Sequence, residues 1–145
     1  MQMAIEEARL ANADGEVPVG CVIVRKGKVI ARAGNQTLGA CDPTAHAEML
    51  AIRQATDALG SERLTDCDLY VTLEPCTMCA AAISFARIRR LYFGAEDPKG
   101  GAVENGVRFF ASPTCHHRPE VIGGIGEQES ATLLRGFFAA RRAEL

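Results

Sequence analysis

The sequence predicts an α/β fold, a three-layer α/β/α sandwich around a mixed sheet, and three observations carry that expectation. Apolar residues at helical spacing alternate along the chain with short β-branched runs; a tight polar turn joins two of those runs; and a third run passes directly into a helix start at Glu74-Pro75. The 145 residues are 48% hydrophobic and 23% charged. That composition fits one compact domain, 1–145, with a sizeable core.

The elements follow in order. Met1 to Ala13 spaces Met3, Ala4, Ile5, Ala8 and Leu10 loosely at helical intervals, and Asp14-Gly15 is its stop. Val17 to Val24 reads as a strand, Arg25-Lys26-Gly27-Lys28 as a turn and Val29 to Ala33 as the returning strand of a hairpin. After a Gly/Asn/Asp/Pro loop over Gly34 to Pro43, Thr44 is suited to cap a helix whose apolar positions run from Ala47 to Leu59, ending near Gly60. Leu69 to Leu73 is strongly β-prone, and Pro75 is tolerated at the first position of the helix that follows. That helix, about Cys76 to Ala86, is apolar on nearly every side, as in a buried or interface-covered element. Leu91 to Gly94 is another strand, Val107 to Ala111 a helical turn, Glu120 to Ile122 a short strand and Glu127 to Arg142 a final helix.

Composition excludes several classes. A formal net charge of -2 lacks the bulk basic signature of a nucleic-acid binder, so any nucleic acid must be gripped by a local patch. Met1 to Leu10 carries Glu6, Glu7 and Arg9 with no apolar core, and no stretch approaches the roughly 18 apolar residues of a membrane span. The expectation is a cytoplasmic protein with no membrane partner. Its six cysteines are too sparse and irregular for a disulfide scaffold, which leaves reduced thiols, some of them binding metal.

The chemistry concentrates in two short motifs, His46-Ala47-Glu48 and Pro75-Cys76-Thr77-Met78-Cys79. Cysteines three apart share one helix face, and the first turn of a helix favours thiolate over thiol. Imidazole and thiolate suit zinc. A structural zinc is closed by four protein ligands, whereas a catalytic one leaves a position to water. Here His46, Cys76 and Cys79 are three ligands, and Glu48 stands two residues from the histidine, placed to move protons. A bare Cys-x-x-Cys also fits a structural zinc or a redox pair; the upstream His-x-Glu and the adjoining Pro complete a zinc-deaminase signature. Cys41, Cys67, Cys115, His116 and His117 remain as alternative fourth ligands, although each also fits a core or loop position.

Val17-Pro18-Val19-Gly20, Gly34-Asn35, Asp42-Pro43-Thr44-Ala45-His46-Ala47-Glu48, Leu69 to Cys79 and Phe93-Gly94-Ala95, in this order and spacing, resemble the bacterial tRNA-specific adenosine deaminases of the cytidine deaminase superfamily. The final helix, with Phe137-Phe138 and then Arg141-Arg142, fits the same branch. The resemblance implies a five-stranded sheet flanked by helices, a homodimer with both subunits at each site, one zinc per subunit, and conversion of the wobble adenosine of a tRNA anticodon loop to inosine. It implies further that His46, Cys76 and Cys79 hold zinc, that Glu48 shuttles protons, and that Val19, Asn35 and the Ala47 backbone N–H meet the base.

The same constellation opens other readings. Asn35 also fits a plain turn residue. Arg135, Arg141 and Arg142 can grip phosphates while Phe137 or Phe138 stacks, but two such Phe also suit a core, and Arg at a helix end suits the dipole. The chain departs from the commonest pattern of the family over Gly100 to His117, where Gly101-Ala102-Val103-Glu104-Asn105-Gly106 and Cys115-His116-His117 stand. A deaminase of a free base or nucleoside, and a zinc-stapled binding module without turnover, are the rival readings.

Overall fold

The computed structural model describes all residues, Met1–Leu145. Four α-helices and five strands occur in the order α1 (Gln2–Ala13), β1 (Gly20–Arg25), β2 (Lys28–Gly34), α2 (Ala47–Leu59), β3 (Cys67–Leu73), α3 (Thr77–Phe85), β4 (Arg90–Ala95), a 3-10 turn (Phe109–Ala111), β5 (Glu120–Ile122) and α4 (Glu127–Ala143). The sheet order is β2-β1-β3-β4-β5. β1 runs antiparallel to β2 and β3, while β3, β4 and β5 are parallel, so the sheet is mixed as expected. α1 packs on β1 and β2 and α4 on β4; α2 packs on β1 and β2 and touches α3.

Local chemistry explains most boundaries. Lys26 and Gly27 both take positive φ, 50° and 76°, the geometry that lets a two-residue turn match the twist of a hairpin. α2 ends at Gly60 in the left-handed region, where Gly60 N–H reaches Asp57 O and Ser61 N–H reaches Thr56 O. The strand residues Ile23, Leu69, Val71, Leu91 and Phe93 are buried with Ala51, Ile52, Ala80 and Ile83 from α2 and α3. Gly20 lets α1 lie directly on the sheet, because a Cβ there would overlap the Ala4 carbonyl and come within 2.6 Å of Ala8 N.

Three local expectations fail, each for a physical reason. The first strand begins at Gly20 rather than Val17, since Pro18 has no N–H to donate and Val19 N–H turns back to Val17 O at 2.8 Å. Thr44 does not cap α2: its N–H and hydroxyl both donate to Asp42 Oδ1, at 2.8 and 2.7 Å, and His46 occupies the N-cap position. Pro75 precedes α3 instead of opening it, because Cys76 keeps an extended backbone, φ -73° and ψ 176°, and is itself the N-cap.

Candidate metal centre and base pocket

His46 and Cys76 are the N-cap residues of α2 and α3, both with extended backbones and neither using its side chain as a cap. The cap conformation frees each side chain to leave the helix start and meet the other. Cys79, in the first turn of α3 and fully buried, completes the cluster. Its Sγ lies 3.5 Å from His46 Nδ1 and the Cys76 Sγ lies 3.6 Å from the same nitrogen. One donor atom from each residue falls within 4.8 Å of the others, the span of a shared ion.

The protonation states suit a cation. The Cys76 thiol is pulled down to about 4, first by the hydrogen bond from the Cys79 thiol and then by the adjoining His46. Cys79 is shifted upward because it keeps the proton it donates to Cys76. A divalent ion displaces such a proton and leaves two thiolates facing it. Cys76 contacts raise the His46 imidazole above its ordinary value. Glu48, 4% exposed in the first turn of α2, is pushed up to about 7 by burial.

The donor set of one imidazole nitrogen and two thiols fits zinc, and three donors leave one tetrahedral position free. None of the alternative fourth ligands joins the cluster. Cys41 is on an exposed loop, Cys67 is in the core, Cys115 packs on Ser84, and His117 Nε2 pairs with Ile88 O at 2.7 Å.

A cavity of about 310 Å³ opens beside these donors. His46, Glu48 and Cys76 line it, as do Val19, Asn35 and Ala47, so all three residues assigned to the base by resemblance face the same space. Val17, Thr37, Leu73, Glu74, Asp97 and Gly100 line it too, and none of these was assigned to the site from the sequence. Two buried carboxylates hold its loops. Glu16 accepts Leu38 N–H at 3.1 Å and Gly39 N–H at 2.7 Å, next to Thr37. Glu74 accepts from the segment carrying Asp97 and Gly100; burial acts to raise its pKa, but the N–H groups of Asp97, Asn105 and Val103 bring it below the ordinary value.

Phe137 and Arg141 do not line the cavity. Arg141 lies 4.8 Å above the Phe137 ring and donates to Gly15 O at 2.8 Å, so it ties the end of α4 to the end of α1, just before the Val17 wall. Arg142 is exposed with no partner. Phe137 and Phe138 meet edge to face, their ring centroids 5.3 Å apart.

A family model described as the cytidine and deoxycytidylate deaminase zinc-binding region matches residues 1–95. A tRNA-specific adenosine deaminase of Agrobacterium fabrum is 64% identical over 144 residues, covering 99% of this chain and 95% of that protein. A solved structure from biochemical and structural studies of A-to-I editing by tRNA:A34 deaminases at the wobble position is 66% identical, with a TM-score of 0.91 over 92% of this chain and 97% of that one. The guanine deaminase of Bacillus subtilis is more distant: 36% identical, with a TM-score of 0.65 over 97% of this chain and 90% of its own.

Proposed function

This chain belongs to the cytidine and deoxycytidylate deaminase family, in the branch of the tRNA-specific adenosine deaminases, and from that premise we propose that it hydrolyses the wobble adenosine of a tRNA anticodon loop to inosine, releasing ammonia. The observation that carries the chemistry is a buried carboxylate, Glu48, lining one cavity with His46 and Cys76, two of the three donors of a metal cluster. His46, Cys76 and Cys79 would hold zinc, whose contribution is Lewis acidity that makes water nucleophilic near neutral pH. Glu48 takes a proton from the attacking water as its oxygen bonds to carbon six of adenine. It delivers that proton to ring nitrogen one, then takes the remaining proton from the new hydroxyl on carbon six and passes it to the amine as the carbon–nitrogen bond breaks, leaving the carbonyl of inosine and ammonia. Burial favours this duty, since a carboxyl poised near neutrality can both accept and return a proton.

Asn35, the Ala47 backbone N–H and Val19 hold the base, an assignment supported by their shared place in the cavity wall. The adenosine reaches them splayed out of its loop, as base chemistry in RNA requires. We assign the phosphate grip to Arg141 and Arg142, with Phe137 beside them. Residues 1–145 act as one deaminase domain, in the cytoplasm, and no helix is long and apolar enough to cross a membrane. The protein works as a homodimer, which is supported by Phe85 on α3, 69% exposed although apolar.

The test is to incubate the zinc-loaded protein with an adenosine-containing anticodon stem-loop, sequence for inosine, and run free adenosine, guanine and cytidine in parallel. Inosine in the stem-loop, at rates exceeding those on the free compounds, supports the proposal. Faster turnover of a free base or nucleoside refutes it in favour of a free-base deaminase.

A further inference from the structure

The segment from Glu96 to Arg108 contains no helix or strand, yet two of its residues, Asp97 and Gly100, form part of the cavity wall. Its backbone is gathered around one side chain. Glu74, 2% exposed, accepts Asp97 N–H at 3.0 Å and the Asn105 side-chain amide at 2.7 Å through Oε1. Its Oε2 accepts the N–H groups of Val103, Glu104 and Asn105 at 3.0, 2.9 and 3.0 Å. No cation pairs with this carboxylate; backbone and amide dipoles alone balance it.

We propose that Glu74 is a positioning residue for the deamination, fixing the Asp97–Gly100 wall of the base pocket relative to the metal ligand Cys76. The role rests on the function proposed above. Glu74 lies between Leu73, the last residue of β3, and Cys76, and both of these line the cavity. The same few residues therefore set the metal side and the loop side. Two flanking bonds tighten the coupling: Glu74 N–H donates to Ala95 O at 2.8 Å and Ala102 N–H donates to Pro75 O at 2.9 Å. The loop also wraps the carboxylate without slack, because a Cβ on Gly101 would come within 2.5 Å of Glu74 Oε2. A glutamine cannot satisfy this cluster, since its NH2 would face N–H donors where an oxygen now accepts.

The experiment compares wild type, Glu74→Gln and Asn105→Ala for zinc content, melting temperature, and kcat and KM on the stem-loop. Both variants should keep zinc. Glu74→Gln should raise KM by about 10-fold or more while kcat falls less, the scale of one lost charge-assisted hydrogen bond. Asn105→Ala, which leaves the carboxylate in place and removes one donor, should shift KM in the same direction by less. Should Glu74→Gln fail to fold, Asn105→Ala decides alone. An unchanged KM, with losses confined to melting temperature or active fraction, overturns the role. A wild type that makes no inosine refutes the function and this role with it, whereas an active wild type with an unmoved KM refutes this role only.

Discussion

Exchanging Glu48 for Gln separates chemistry from architecture at this site. The side chain sits in a slot that is 4% exposed in the first turn of α2, and Gln matches its volume, so no cavity opens and stability should change by less than about 1.5 kcal/mol. Zinc should remain, because the donor cluster consists of His46, Cys76 and Cys79 without it. What disappears is the proton acceptor and donor, and general acid–base catalysis is worth about 10²–10⁴-fold, or about 2.7–5.4 kcal/mol of barrier. Zinc by atomic absorption, melting by calorimetry and inosine formation in single-turnover reactions measure the three quantities on one preparation. The expected result is one zinc per chain, a melt shifted by no more than a few degrees and a rate lowered by at least about 100-fold. Loss of zinc would make Glu48 a ligand, and retained turnover would mean that another group moves the protons; either result refutes the reasoning.

Serine at Cys41, Cys67 or Cys115 should leave one zinc per chain, while serine at Cys79 should empty the site, and a metal assay on each variant checks both halves. Wild type should run as a dimer in light scattering at micromolar concentration and Phe85→Glu should shift toward monomer, since the charge would have to be buried in the apolar contact. On the last helix, Arg142→Ala should make the salt dependence of stem-loop binding shallower by about one unit of slope. Arg141→Ala should in addition lower the melting temperature, because its guanidinium already holds Gly15 O.

The residues to which we assign the chemistry were legible as a cluster because each motif spans only a few positions. Cys76 and Cys79 are three apart, His46 and Glu48 two apart, and such spacings have the same meaning wherever the chain carries them. Element order was legible for a similar reason: β-branched runs, the Lys26-Gly27 turn and the Gly60 stop act through near neighbours. Capping was not. Thr44 is a good cap by type, but Asp42 two residues earlier captures its hydroxyl, and a competition between two short polar side chains is decided by backbone geometry.

The walls of the pocket were illegible for a deeper reason. Glu16 finds its partners 22 and 23 residues away, and Glu74 finds its own between 23 and 31 residues away. Nothing in the local pattern of Leu73-Glu74-Pro75 distinguishes a carboxylate that will face water from one that five N–H groups will surround. The Gly101-Ala102-Val103-Glu104-Asn105-Gly106 stretch, read from the sequence as a departure from family pattern, contributes four of the five donors around Glu74. The residues proposed to hold metal and move protons thus sit on helix caps and first turns, which a short motif encodes, and the cavity beside them is walled by loops that distant buried carboxylates collect. A substitution in a motif should strike kcat, and one in a clamp should strike KM. The two classes of residue are separable by kinetics even where they share one cavity.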